Sequence, residues 1–306
     1  MRHFLSLTDL SAHDIRSILD NAHARKAARA GQPKGMIDAD APLTGHTLAM
    51  IFEKSSTRTR FSFEQGMRQL GGSAIVATSD TMQLGRGEPV KDTARVLSRY
   101  VDAIMMRVNN HDTLIEFSRH ATVPIVNGLS DNNHPCQIMA DLMTLEERGL
   151  TLKGARIAWI GDGNNVAMSF VNLAAQTGID LIVASPDGYR LRGQDVERAR
   201  AAGAKITLTD DPDEAANGAD ALITDCFVSM GDKDYEQRVK TLSPYNLDSA
   251  RVAKAKPGAA VLHCLPAYRG QEITDSVMES EQSAIWDEAE NRLHAQKAIL
   301  MWCLKQ

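Results

Sequence analysis

Short apolar runs recur along the chain, each followed by a longer mixed stretch. LAMIF at 48–52, AIVAT at 74–78, AIMMRV at 103–108 and VPIVNG at 123–128 are apolar without alternation, which predicts strands covered on both faces. The intervals between them leave room for crossover helices. After a helical stretch from Cys136 to Arg148 and the turn residues Lys153-Gly154, the pattern restarts. RIAWIG (156–161), DLIVAS (180–185), AKITLT (204–209), ADALITD (219–225) and AAVLHCL (259–265) predict a second parallel sheet. The expectation is an α/β chain of two doubly wound parallel-sheet domains, 1–149 and 150–287, joined by helices near 134–150. Between Ser283 and Leu304, the residues Ile285, Ala289, Leu293, Ile299 and Cys303 fall near one helical face. This predicts a closing helix, 288–306, that packs back on the first domain. No repeat of 20–50 residues is visible. In open α/β sheets ligands gather beyond the carboxyl ends of the strands, so the residues after each apolar run hold the chemical interest.

Composition narrows the class. The chain has 306 residues, 43% hydrophobic and 24% charged, with 21 glycines and 10 prolines, which excludes disordered and collagenous chains. Its 34 Lys and Arg against 39 Asp and Glu give a net charge of −5. That balance offers no overall attraction to nucleic acid or an anionic membrane, so any anion site must be local. No stretch approaches the ~18 apolar residues of a membrane span, and MRHFLSLTDL is too short in its apolar part for a signal peptide. We therefore expect a cytoplasmic protein with no membrane partner. Cys136, Cys226, Cys264 and Cys303 form no CxxC pair, so neither a disulfide framework nor a zinc knuckle is indicated. They are core thiols or chemically placed ones.

Directly after the first apolar run comes Glu53-Lys54-Ser55-Ser56-Thr57-Arg58-Thr59-Arg60. A strand-to-helix junction presents free backbone N–H groups and a positive dipole end, and hydroxyls with two guanidiniums make it a phosphate-sized anion site. The plainer alternative is a Ser/Thr N-cap with solvated arginines. Arg107 ends the AIMMR run and can aim a further guanidinium at the same place. An arginine there is costly unless paired, whether to a ligand or within an ion pair. Asn127 to Gln137 follows the next strand; Pro135 suits a first helical turn and His134 precedes it. His134 is either structural or placed to polarise a carbonyl, and with Cys136 alone it makes too small a set for a metal.

The second half opens with Gly161-Asp162-Gly163-Asn164-Asn165-Val166, which matches a dinucleotide fingerprint only in its first two glycines. Asn164 and Asn165 stand where amides can hold a carboxylate or an amine. Asp225-Cys226-Phe227-Val228-Ser229-Met230-Gly231 puts a carboxylate at another strand end, a turn cap or a partner for a substrate ammonium. His263, Cys264 and Leu265 close the last strand before Pro266, and Cys264 is a core thiol or one facing a ligand.

Taken together, SSTRTR at 55–60, HPCQ at 134–137, DCFVSMG at 225–231 and HCLP at 263–266 resemble the signature set of the ornithine carbamoyltransferases. The four motifs span residues 50 to 270 in the family's order. The resemblance implies a first domain for carbamoyl phosphate and a second for L-ornithine, citrulline as product, arginine biosynthesis as setting, and no cofactor and no metal. It implies that Ser56, Thr57, Arg58 and Thr59 hold the phosphate with Arg107, and that His134, Pro135, Cys136 and Gln137 surround the carbamoyl group. Gln83, in MQLGRGEP, is similar to a position that reaches the phosphate site of a neighbouring subunit in a homotrimer. Asn165, Asp225, Ser229 and Met230 would hold ornithine, and Cys264, Leu265 and Arg292 would complete the site. The catalytic set is then Arg107, His134, Asp225 and Cys264. Phe227 departs from the family's usual Trp.

Rival readings are weaker. Aspartate carbamoyltransferases carry a PLPR-type segment in place of HCLP; relatives acting on N-acetylornithine or putrescine differ mainly in second-domain loops. A non-catalytic metabolite sensor lacks any appended basic module, and a dehydrogenase lacks the third glycine.

Overall fold

The computed structural model describes residues 1–229 and 232–305. It divides into two compact units, Met1–Ala140 with the chain from Asn291 on, and Asp141–Glu290.

The first unit contains, in order, α1 (Ala12–Ala28), β1 (Thr47–Phe52), α2 (Thr57–Gln69), β2 (Ser73–Thr78), α3 (Val90–Leu97), β3 (Ala103–Arg107), α4 (His111–His120), β4 (Ile125–Leu129) and the start of α5 (Pro135–Glu147). Its four parallel strands lie in the order β2-β1-β3-β4. Leu48 to Phe52 and Ala103 to Met106 are all buried, as unalternating apolar runs predict for strands covered on both faces, but β2, from the AIVAT run, is an edge strand only partly buried, with Ile75 56% exposed. The chain leaves β1 for the edge strand β2 and returns to β3 on the other side, so β1 and β3 flank the reversal point where such sheets bind ligands. Their register sets Phe52 beside Arg107. Beyond it, the Glu53 N–H donates to the Arg107 carbonyl at 2.9 Å, and the Asn109 N–H donates to Glu53 Oε2 at 2.6 Å. One carboxylate thus ties the ends of both strands together.

The second unit holds β5 (Arg156–Ile160), α6 (Asn165–Thr177), β6 (Asp180–Ala184), α7 (Gly193–Ala201), β7 (Lys205–Thr209), α8 (Pro212–Ala216), β8 (Ala221–Thr224), α9 (Tyr235–Leu242), α10 (Ser249–Val252), β9 (Ala260–His263) and α11 (Asp275–Met278). Its strands are parallel in the order β7-β6-β5-β8-β9, with the reversal between β5 and β8. Ile160, Ile182, Leu222, Leu247, Val261 and Ile273 build its core. Gly163 has a local reason that needs no nucleotide: a Cβ there would meet Leu191 N at 2.6 Å and Tyr189 O at 2.7 Å. The missing side chain admits the 189–191 backbone.

The last helix, α12 (Ile285–Leu304), starts in the second unit, and from Asn291 its residues belong to the first. Buried Lys297 ion-pairs with Asp38 at 2.7 Å and donates to Gln69 at 2.9 Å, while Trp302 Nε1 donates to Asp14 at 3.0 Å. A Cβ on Gly66 of α2 would come within 3.3 Å of Lys297 Cγ, so this glycine lets the two helices approach closely. The closing helix packs back as the amphipathic stretch predicts.

Candidate active site

In the first unit, the site begins at the junction of β1 and α2. Ser56 is extended and caps α2: its Oγ accepts from the Thr59 N–H at 3.4 Å and donates to Thr59 Oγ1 at 3.0 Å. Thr57 opens the helix and is exposed, Arg58 is half-buried, and Thr59 is buried. The helix end therefore carries a dipole and hydroxyls toward one place. Only one of the two SSTRTR guanidiniums joins them. Arg60 is exposed and pairs with Glu64 along the helix at 3.5 Å, which corrects the expectation that both arginines serve the anion site. Residues two apart on a helix face different ways, and Arg60 faces water.

His134 lies just ahead of α5, 4% exposed. Its approach is fixed by a buried amide pair: Asn127 Nδ2 donates to Asn133 Oδ1 at 2.6 Å and to the Leu5 carbonyl at 2.9 Å. Burial, and then the positive charges of Arg292, Arg107 and Arg58, hold its imidazole well below its ordinary pKa. It is neutral at physiological pH. Pro135 begins α5, and Cys136 is fully buried with its thiol donating to the Asn127 carbonyl at 3.3 Å. Burial pushes that thiol up to about 12, so Cys136 offers no reactive sulfur. Gln137 Oε1 accepts from Arg292 Nη1 at 2.7 Å, both side chains being buried. Thus Arg58, Arg107 and Arg292, from α2, β3 and α12, set their charge around one neutral histidine. Gln83 is exposed and begins a 3-10 turn between β2 and α3.

The second unit builds a different set. Asp225 follows β8 and accepts from the Cys226 N–H at 2.8 Å, from Cys264 Sγ at 3.0 Å and from Asn164 Nδ2 at 2.8 Å. Asn164 serves twice, since its Oδ1 caps α6 by accepting from the Val166 and Ala167 N–H groups. Burial and then the Asp225 carboxylate push the Cys264 thiol well above its ordinary pKa. Cys264 therefore keeps its proton and acts as a donor to Asp225. Asn165 begins α6, half-buried, and the Ser229 N–H donates to Asp232 at 2.8 Å. Leu265 is partly buried with φ of +56°. Met230 lies outside the described residues.

Sequence reasoning left two contributors unassigned. Arg238, on α9, donates from Nε to the Phe227 carbonyl at 2.9 Å, pairs with Asp162 and Asp232, and lies 4.9 Å from the Tyr189 ring centroid. Burial pushes Asp162 up to about 6 despite that guanidinium. His263, placed at the end of the last strand but given no role, is fully buried against Glu272 at 3.1 Å. No spacing in the sequence links position 238 to 162, or 263 to 272.

Asp225, His263 and Cys264 bring ligand-type atoms within 4.8 Å of one another, the donor set of a small metal site. The fit is poor. Both ring nitrogens of His263 are engaged, with Glu272 and with the Leu265 N–H, and the Cys264 S–H is donated to Asp225. A cation would have to break all three contacts.

With this geometry in view, relatives become informative. Residues 2–147 match the aspartate/ornithine carbamoyltransferase carbamoyl-P binding domain, and residues 153–303 match the Asp/Orn binding domain of the same family. The chain belongs to the aspartate/ornithine carbamoyltransferase family. Within that family it is 52% identical over 302 residues to an ornithine carbamoyltransferase of Caulobacter vibrioides, covering 99% of this chain and 97% of the relative. It is 54% identical over 303 residues to one from Rhizorhabdus wittichii, covering 99% and 98%. Among solved structures, an ornithine carbamoyltransferase from Pyrococcus furiosus superposes with a TM-score of 0.93 at 45% identity, covering 99% of this chain and 97% of that one. The family's two domains match the two units, guanidiniums gathering in the first and a carboxylate with a thiol in the second.

Proposed function

We propose that this chain transfers the carbamoyl group of carbamoyl phosphate to the side-chain amine of L-ornithine, giving L-citrulline and phosphate. The observation that carries the reading is the neutral His134 amid Arg58, Arg107 and Arg292, beside a hydroxyl-rich helix N-terminus. A dianion with an electrophilic carbonyl suits that place. The phosphate binds to Ser56, Thr57, Arg58 and Thr59 with Arg107. A neutral imidazole donates a hydrogen bond to the carbonyl oxygen without adding a charge. As the amine attacks the carbamoyl carbon, His134, Arg107 and the Thr59 hydroxyl stabilise the oxyanion, and phosphate then leaves to the guanidiniums.

The amine must attack unprotonated, although a free alkylamine has a pKa of about 10.4. Asp225 pairs with the ammonium on binding and takes its proton before attack. Cys264, which keeps its own proton, steadies Asp225 rather than acting as the base, and the N–H proton shed by the attacking nitrogen passes to the departing phosphate. Asn165, Ser229 and Met230 bind the amino-acid end, and Gln137 with Leu265 completes the carbamoyl contacts. In this reading residues 1–149 and 288–306 bind carbamoyl phosphate and residues 150–287 bind ornithine.

The assembly is a homotrimer in which Gln83 serves the neighbouring copy's phosphate site. Exposed apolar residues support a covered surface on the first unit, Phe61 at 70% and Ile75 at 56% exposed. Among the described residues no helix is long and apolar enough to cross a membrane. The setting is the cytoplasm and arginine biosynthesis.

Citrulline formation from carbamoyl phosphate, run with ornithine, N-acetylornithine, putrescine and aspartate as competing acceptors, tests this. Selective turnover of ornithine is expected. Turnover of another amine alone would overturn the assignment of Asn165, Asp225 and Ser229, and no turnover at all would overturn the enzymatic reading.

A further inference from the structure

Leu265 occupies left-handed backbone space, φ of +56°, without being glycine. Such a conformation is strained for any residue with a side chain and persists only where neighbours impose it. The neighbour here is His263. The Leu265 N–H donates to His263 Nδ1 at 2.9 Å, and a backbone N–H cannot reverse its role. Nδ1 therefore carries no proton, the ring proton sits on Nε2, and it is donated to Glu272 Oε1 at 3.1 Å. The same oxygen accepts from the Tyr268 N–H at 2.5 Å. His263 is itself held by its own N–H donating to Glu288 Oε2 at 2.8 Å. One fully buried imidazole and one fully buried carboxylate thus fasten the segment after β9 at residues 265 and 268, with Cys264 between His263 and Leu265.

We propose that His263 and Glu272 are a positioning pair that holds Leu265 in its strained turn and so aims the Cys264 thiol at Asp225. Both side chains are fully buried and bonded to each other. The proposal rests on the carbamoyl-transfer reading for its kinetic consequence, but the geometry stands without it. A rotation at Leu265 would swing both the Cys264 sulfur and the Leu265 backbone.

Two substitutions separate the roles of the two ring nitrogens. In His263→Asn, the amide oxygen takes the place of Nδ1 and still accepts from the Leu265 N–H. In His263→Gln, the amide nitrogen takes the place of Nε2 and still donates to Glu272, but the Leu265 N–H loses its acceptor. Glu272→Gln retains the Oε1 acceptor, whereas Glu272→Leu removes it.

Two readouts are measured beside the thermal midpoint of each variant: citrulline formation, and the rate at which iodoacetamide labels Cys264, followed by peptide mass spectrometry. His263→Gln and Glu272→Leu are expected to lose about 100-fold in kcat, the scale of an ångström of misplacement. They should also label Cys264 about tenfold faster, since a thiol freed from its neighbouring carboxylate ionises and reacts more readily. His263→Asn and Glu272→Gln should stay within about threefold of the native protein in labelling, on the same reasoning. Equal losses in both variants at each position, or losses that track the thermal midpoint alone, would overturn the proposal. Should the native protein form no citrulline, the labelling contrast alone decides the matter, so failure of the pair and failure of the functional reading are told apart.

Discussion

Arg292 Nη1 donates to Gln137 Oε1 at 2.7 Å, joining two buried side chains that stand 155 positions apart in sequence. The contact fastens the closing helix to the first turn of α5, directly after His134, and brings a guanidinium whose charge His134 feels. Arg292→Met is therefore expected to act in two ways. It should weaken carbamoyl phosphate binding by roughly 10–100-fold, the usual worth of a charged hydrogen bond. It should also raise the pKa of His134, since one of three repelling cations is gone. The pH profile of kcat/KM checks the second effect: its acid limb should move to higher pH in the variant.

The arginines of SSTRTR divide cleanly. Arg58 lies near His134 and Arg60 lies in water beside Glu64. Arg58→Ala should raise the KM for carbamoyl phosphate by roughly 10–100-fold. Arg60→Ala removes only an exposed pair worth about 0.5 kcal/mol and should change that KM less than threefold. Steady-state kinetics on both variants decide whether the helix face is assigned correctly.

How much of this could be seen beforehand follows from what each feature depends on. Parallel strands buried on both faces must be continuously apolar, so AIMMR and DLIVA announce themselves, and the reactive residues follow at strand ends. Arg58 and Arg60 share a motif, and only the side of α2 that packs against the protein separates them. Arg292 is more remote still. Its helix reads as amphipathic, but nothing local shows that a buried cation will meet Gln137. Glu272 and Arg238 lie in polar stretches whose partners are supplied by tertiary folding, so their roles left no periodic trace. Family resemblance carried Arg292 where periodicity could not.

His134 also predicts how stability depends on pH. The folded protein keeps the imidazole neutral, whereas in the unfolded chain it protonates near its ordinary value of 6.5. Below that pH the unfolded chain binds the extra proton, so stability is full above about pH 6.5 and falls as the pH drops, by at most about 1.4 kcal/mol per unit from this group. Thermal midpoints recorded from pH 8 to pH 5 should decline. His134→Asn, which has no proton to take up, should flatten the decline.

A second buried cluster tests the closing helix. Burial pushes the Asp38 carboxyl up, but Lys297, Arg29 and Arg25 outweigh it and hold the group below the usual carboxylate range. Its stabilising share is present above about pH 4 and is lost as the pH falls through its lowered value. Asp38→Ala leaves three cations facing one another and should cost about 3–5 kcal/mol. Lys297→Met leaves Asp38 with two arginines and should cost less. Urea denaturation at pH 7 ranks the two, and the reverse order would contradict the network.

Asn164 joins architecture to chemistry in the second unit. Its oxygen accepts from two N–H groups of α6 while its nitrogen donates to Asp225 Oδ2 at 2.8 Å. Aspartate is as good an N-cap as asparagine, so Asn164→Asp keeps the helix end intact and should leave the thermal midpoint nearly unchanged. The substituted oxygen, however, would place a second carboxylate against Asp225. Like charges at that distance cannot both ionise freely, so the pair's upper pKa should rise, and the ammonium of ornithine should meet two carboxyls that share a proton rather than one fixed anion. The expected kinetics are a higher KM for ornithine at neutral pH, recovering as the pH is raised, with the KM for carbamoyl phosphate unmoved. Asn164→Ser provides the contrast, because it retains a capping oxygen and drops the donor without adding charge. Its KM for ornithine should rise without the recovery at high pH, and identical pH profiles for the two variants would show that Asn164 acts on Asp225 only through the helix.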